Sequence, residues 1–162
     1  MLHGDVLDQR CCRMETGELL QTTRQLTYAA ALIGVSAAVA KCREIGAPEC
    51  IAIVDAAGQL LAYARVEGAA VLARDPAIAK AATAAALGTP SGTIPFEFGV
   101  NLGVASRDAI VNLGGGLPIV HEGCVVGAVG VGSGTTEQDI AVAEAGRDAV
   151  LAALADHPPL AS

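Results

Sequence analysis

Few residues of this chain carry the chemistry to hold or transform a ligand, and they fall in separate segments. His121 stands in "HEG" between two short apolar runs. An imidazole there can act as a general acid or base near neutral pH, or as an axial ligand to haem iron. His3 and His157 lie near the two ends, which leaves His121 as the histidine of the folded part. Arg65 in "AYARVEG" and Lys80 in "DPAIAKAAT" are cations that could together hold a carboxylate through charge-assisted hydrogen bonds. The competing reading makes them solvated ions paired with Glu67 and Asp75. A third group, Phe96, Glu97, Phe98 and Asn101, lies in a Gly- and Pro-rich stretch from Pro90 to Ser106. Irregular segments of that length in a small domain are more often functional or interfacial than idle. For His121, plain hairpin-turn composition is the stronger alternative. Cys124 is close by in sequence, but a strand cysteine is usually inert, so a Cys–His nucleophile pair is not expected.

The run "GAVGVGSGTTEQDIAVAEAG", Gly127 to Gly146, invites a phosphate-binding or nucleophile reading. Its glycines fall at 130, 132 and 134 with Thr135 where a dinucleotide fingerprint needs the third glycine. No lysine precedes the hydroxyl residues, as a Walker loop requires, and Val131 and Thr135 occupy the glycine positions of a nucleophile elbow around Ser133. The structural reading remains: an inner strand, then a helix capped by Ser133 or Thr135. Gln138 sits at capping-box spacing from Thr135, and Glu137 and Asp139 complement the positive helix end.

The elements that position these residues follow from hydrophobic period and turn signals. Thr23 to Gly46 steps as a helix through Leu26, Ala30, Ile33, Ala37 and Ala40, with Gly46 as its left-handed stop. Cys50–Val54 and Leu60–Val66 form a hairpin turned by Asp55 and Gly58. Asp75 before Pro76 reads as the N-cap of a helix running to Gly88. Short runs at Ala109–Leu113, Leu117–Val120 and Cys124–Val131 read as three antiparallel strands, and Glu137–Leu154 as the closing helix. The order predicts an α+β layered domain with an antiparallel sheet of about five strands flanked by helices. It spans residues 23–156, after an N-terminal extension of residues 1–22 in which Met14 is an alternative start, and before a tail of residues 157–162.

Composition narrows the function classes. The 162 residues are 52% hydrophobic and suffice for one core rather than two. Charged residues make up 17% and the net charge is −7, so no basic stripe exists for nucleic acid. No run approaches the ~20 apolar residues of a membrane span, and the start lacks the apolar core of a secretion signal. Five cysteines without a C-x-x-C pair read as reduced thiols, so the expected location is the cytoplasm and no protein-bound metal is expected. Tyr28, Tyr63, Phe96 and Phe98 are the whole aromatic set, so Ala, Val, Leu and Ile must build the core. Such flat, small-residue surfaces suit close subunit contacts, and a homo-oligomer is expected.

Four segments in fixed order carry a resemblance to a known family: "IAIVDAAGQLLAYARVEGA" (51–69), "DPAIAKAATAAALG" (75–88), "GGGLPIV" (114–120) and "GCVVGAVGVGSGTTEQDIAVAEAG" (123–146). Together they resemble the GlcG/HbpS family from Leu26 to Leu154. The resemblance implies a profilin-like layered domain assembled into symmetric oligomers. It also implies a small-molecule ligand, with haem or another tetrapyrrole as the leading expectation, and relatives fused to PduO-type corrinoid adenosyltransferases. A second implied class is a cofactor-free lyase or isomerase acting on a small anionic, hydroxylamino-benzoate-like acid. Under either, Arg65 and Lys80 lie in family-like motifs and could hold an anionic ligand, while His121, which stands where the family's turn usually carries a charged or small residue, is the candidate haem ligand or acid/base group on its own chemistry.

Overall fold

A computed structural model of the protein describes residues 23–107 and 109–156. The expected extension at residues 1–22, with Met14, and the tail at 157–162 lie outside the described residues. The chain runs α1 (Tyr28–Ile45), β1 (Cys50–Asp55), β2 (Leu60–Arg65), a single 3-10 turn (Val71–Ala73), α2 (Arg74–Leu87), α3 (Phe96–Ala105), β3 (Gly116–His121), β4 (Cys124–Gly132) and α4 (Thr136–Asp156). The strands pair antiparallel in the order β2-β1-β4-β3.

Local chemistry accounts for the element ends. Thr27 caps α1 by accepting from the Ala30 N–H, and Gly46 ends the helix in the left-handed conformation at φ 65°. The Asp55 carboxylate accepts from the Ala57 and Gln59 amides, both at 2.9 Å, and so fixes the β1–β2 turn. At α4 the expected capping box is present: the Thr135 N–H donates to Gln138 Oε1 at 2.9 Å and the Gln138 N–H to Thr135 Oγ1 at 3.3 Å. Asp75 does not cap α2 as expected. The 3-10 turn lets the helix begin at Arg74, so Asp75 lies inside its first turn.

The sheet separates two cores. Ile51, Ile53, Val129 and Val131 face α1 and α4, which pack on each other and on this side of the sheet. On the other face, Cys50, Ala52 and Ala128 meet Ala77, Ala81 and Ala84 of α2. The contact with α2 is close because both surfaces are nearly without side chains. A Cβ at Gly130 would lie 2.1 Å from the Ala77 carbonyl oxygen, so this position of β4 admits only glycine.

Two segments depart from expectation. The sheet has four strands, because residues 109–113 do not pair with a neighbour. Their backbone is satisfied elsewhere: the Val111 N–H donates to Thr83 Oγ1, the Leu113 carbonyl accepts from Ser91 Oγ, and the Asn112 side chain brackets Ile94. Within the stretch expected to be irregular, Phe96–Ala105 folds as α3 despite Gly99 and Gly103. Pro95 precedes its first turn, and Gly99 lies against the Asn112 side chain.

Candidate functional site

The residues singled out from the sequence occupy three separate places. His121 ends β3 and lines a pocket of about 400 Å³. Three elements build the pocket: the approach to α1 (Thr23–Thr27), the β3–β4 hairpin, and the end of α4 at Leu154. The approach is fixed because the Leu26 N–H donates to the Val126 carbonyl at 2.9 Å and the Leu26 side chain is buried. Leu26, Ala30, Val126 and Leu154 make the walls apolar. Arg24 and His121 contribute the ionisable groups on this wall. The Arg24 guanidinium bonds the Glu122 carboxylate of the hairpin turn, and both side chains are about half exposed, at 51% each. The hydrogen bond and charge of Arg24 hold the Glu122 carboxyl below its ordinary range.

Arg24 is not legible as a site residue in the sequence, where the helical step begins at Thr23. The observed helix begins at Tyr28, which leaves Arg24 on an extended segment facing the hairpin.

Lys80 is 5% exposed. Its ammonium donates to the Val131 carbonyl at 2.8 Å and to Asp139 Oδ2 at 2.6 Å. The expected partners Glu67 and Asp75 are not its partners, and its charge is committed within the fold. Arg65 ends β2 on the surface, with one guanidinium nitrogen donating to the Ala69 carbonyl at 3.2 Å. Nearby, the Tyr63 hydroxyl lies 3.2 Å from Cys50 Sγ, and burial is the main cause pushing the phenol up to about 12.

Phe96, Glu97, Phe98 and Asn101 share α3. Phe96 lines a second depression, about 390 Å³, between α3 and residues 110–113, together with Val100, Val104 and Leu113. Phe96 and Val104 are 79% and 75% exposed. Asn101 turns back on its own helix, Nδ2 donating to the Glu97 carbonyl at 3.0 Å. Neither depression is lined by both His121 and an α3 residue.

Sequence reasoning also missed Glu49. It directly precedes β1, is fully buried, and no donor satisfies either carboxylate oxygen. Burial first, then the charge and proximity of Asp139, push its carboxyl up to about 7, and the nearby Lys80 ammonium pulls the other way without prevailing. Cys42 and Cys50 are free and buried, and burial with the neighbouring Glu49 raises the Cys42 thiol to about 11. Cys124 is disulfide-bonded, a departure from the expectation of five reduced thiols. Among the described residues, no group of three or more His, Cys, Asp or Glu side chains could hold a metal ion, and no helix is long and apolar enough to cross a membrane.

Comparison with known proteins agrees with this architecture. Residues 26–148 match the family described as haem degrading protein, HbpS-like. A 15.0 kDa protein from the dhaT–dhaS intergenic region of Citrobacter freundii is 38% identical over 133 residues, covering 79% of this chain and 94% of that protein. Among solved structures, the Klebsiella pneumoniae protein ORFY superposes with a TM-score of 0.76 at 29% identity, covering 84% of this chain and 97% of that one. The haem complex of PduOC superposes with a TM-score of 0.70 at 26% identity, covering 77% and 94%.

Proposed function

Because the chain belongs to the HbpS-like family, we propose that it is a small-ligand-binding protein whose ligand is haem, seated in the pocket between the approach to α1 and the β3–β4 hairpin. One observation carries this reading: His121 and Arg24 share the wall of an otherwise apolar pocket of about 400 Å³. That volume is within the ordinary range for small-molecule sites. The donor set fits the group. An imidazole nitrogen is an axial ligand for haem iron, a guanidinium matches a propionate carboxylate, and Leu26, Ala30, Val126 and Leu154 offer the macrocycle an apolar surface. When bound, haem would supply an iron centre with redox and oxygen chemistry.

This chain's residues would orient and retain it. His121 is held at the end of β3, where it pairs across the hairpin with Cys124. Arg24 is already aimed at a carboxylate, that of Glu122, so an incoming propionate would exchange for one anion with another. Arg24 thereby takes the role that the sequence suggested for Arg65 and Lys80. We further propose that the exposed face of α3, with Phe96, Val100 and Val104, is a contact between copies of the chain in a homo-oligomer.

The test is a haemin titration followed by absorption. A Soret band that survives desalting supports the reading, as does its shift in His121→Ala with weak binding retained. Arg24→Gln should weaken binding by roughly 1.5–3 kcal/mol, the range for a hydrogen bond to a charged group. A wild-type protein without a stable band that turns over a small aromatic acid would replace haem binding with the enzymatic reading.

A further inference from the structure

Glu49, directly before β1, Asp139 of α4 and Lys80 of α2 meet at one end of the sheet. Lys80 satisfies one oxygen of Asp139, and the Gly134 N–H donates to the other at 3.2 Å. Glu49 receives no such donor, although it is fully buried and, like Asp139, lies against the backbone of Gly134. Two buried carboxylates gathered at one residue need a proton between them or a second cation, and among the described residues Lys80 supplies the ammonium beside them. The cover over Glu49 is thin. A Cβ at Gly134 would lie 2.2 Å from Glu49 Oε1, so the backbone of Gly134 rests directly on the carboxyl group, while Ser133 and Gly134 are themselves exposed. Ser133 holds φ at 115°, a conformation unfavourable for a residue with a side chain, and its hydroxyl is fastened to the Ala70 N–H at 2.9 Å.

We propose that Glu49 and Asp139 share a single proton beneath the Ser133–Gly134 cover, and that loss of this proton loosens the junction of β1, α2 and α4. In the closed state Glu49 is neutral and donates its O–H to Asp139, so the cluster of Lys80 ammonium, Asp139 carboxylate and Glu49 acid carries no net charge. Release of the proton to solvent leaves two facing carboxylates against one ammonium, a net charge of −1. The other ionisable group packed against Glu49 is the Cys42 thiol of α1, which stays protonated throughout this range. The exposed Ser133–Gly134 turn, strained at Ser133 and lying directly on the Glu49 carboxyl, opens first.

The sign follows from linkage. In the unfolded chain Glu49 titrates at the ordinary carboxylate value, 4.5, while in the folded chain it holds its proton to about 7. Stability from this group is present below the unfolded value and is lost as pH rises through the folded one. The unfolding constant should therefore rise by up to about tenfold per pH unit between about pH 5 and 7, then level off. Glu49→Gln keeps a donor for Asp139 and removes the titration, so it should lose that segment of the profile. The wild type should also show an acceleration of Gly134 amide exchange above pH 7 beyond the intrinsic base catalysis, and Glu49→Gln should abolish it. A Glu49→Gln variant with the wild-type slope overturns the proposal. If that variant does not fold, carbon-13 NMR of the wild-type carboxyl decides: titration near neutrality supports the shared proton, and titration in the ordinary carboxylate range overturns it.

Discussion

Lys80 and Asp139 join the two faces of the sheet. Lys80 rises from α2 on one side, Asp139 enters from the first turn of α4 on the other, and their ion pair closes at 2.6 Å beside the end of β4. An alanine-rich helix gains from this link a fixed position that its small side chains alone would specify poorly.

Lys80→Met removes the cation and leaves Asp139 buried beside Glu49. Breaking one side of a buried pair costs about 3–5 kcal/mol, which urea unfolding should read as a lowered midpoint. The folded fraction should show the same spectrum as the wild type in the haemin titration that tests the proposed function, because Lys80 does not line the His121 pocket. A lost spectrum at unchanged stability would return Lys80 to the binding site.

Thr135→Ala removes the hydroxyl that accepts from the Gln138 N–H and should lower stability by about 1 kcal/mol. Denaturant unfolding measures the loss, and haemin affinity should stay as in the wild type.

Gly130→Ala places a methyl group where Ala77 and Ala81 backbone atoms already stand, at 2.1 and 2.5 Å. Neither atom is the end of a flexible side chain, so α2 must move off the sheet. Overpacking of this kind costs about 1–3 kcal/mol or more, visible in a thermal melt by circular dichroism.

Phe96→Asp combined with Val104→Asp places charge on the exposed face of α3. Light scattering should give several protomer masses for the wild type and a smaller mass for the variant. Equal masses would move the subunit contact elsewhere.

Much of the frame was legible in the sequence. The hairpin carrying Asp55 and Gly58, the stop at Gly46 and the Thr135–Gln138 box each rest on short-range chemistry, where residue type and spacing decide the outcome. The segment at 109–113 has a strand's composition but lacks a strand's partner, because Thr83 and Ser91 satisfy its backbone. Local pattern cannot register that competition. The same limit hid the pocket: His121 could be singled out by type, whereas Arg24 joins the pocket wall only when the approach to α1 lies along the hairpin. Glu49 had no signal beyond an acid standing directly before an apolar strand.

The strand order also bears on how the chain emerges during synthesis. β1 and β2 can close as a hairpin while the rest is still being made, and so can β3 and β4 later, but the central pairing joins Cys50–Asp55 to Gly127–Gly132. Until the ribosome has delivered β4, β1 has one open edge and Ile51 and Ile53 lack the valines opposite them. The nascent chain thus holds an unfinished half-sheet until β4 emerges, and both cores close only then. Substitutions in β4 should therefore reduce yield in the cell more than substitutions of equal equilibrium effect in β2.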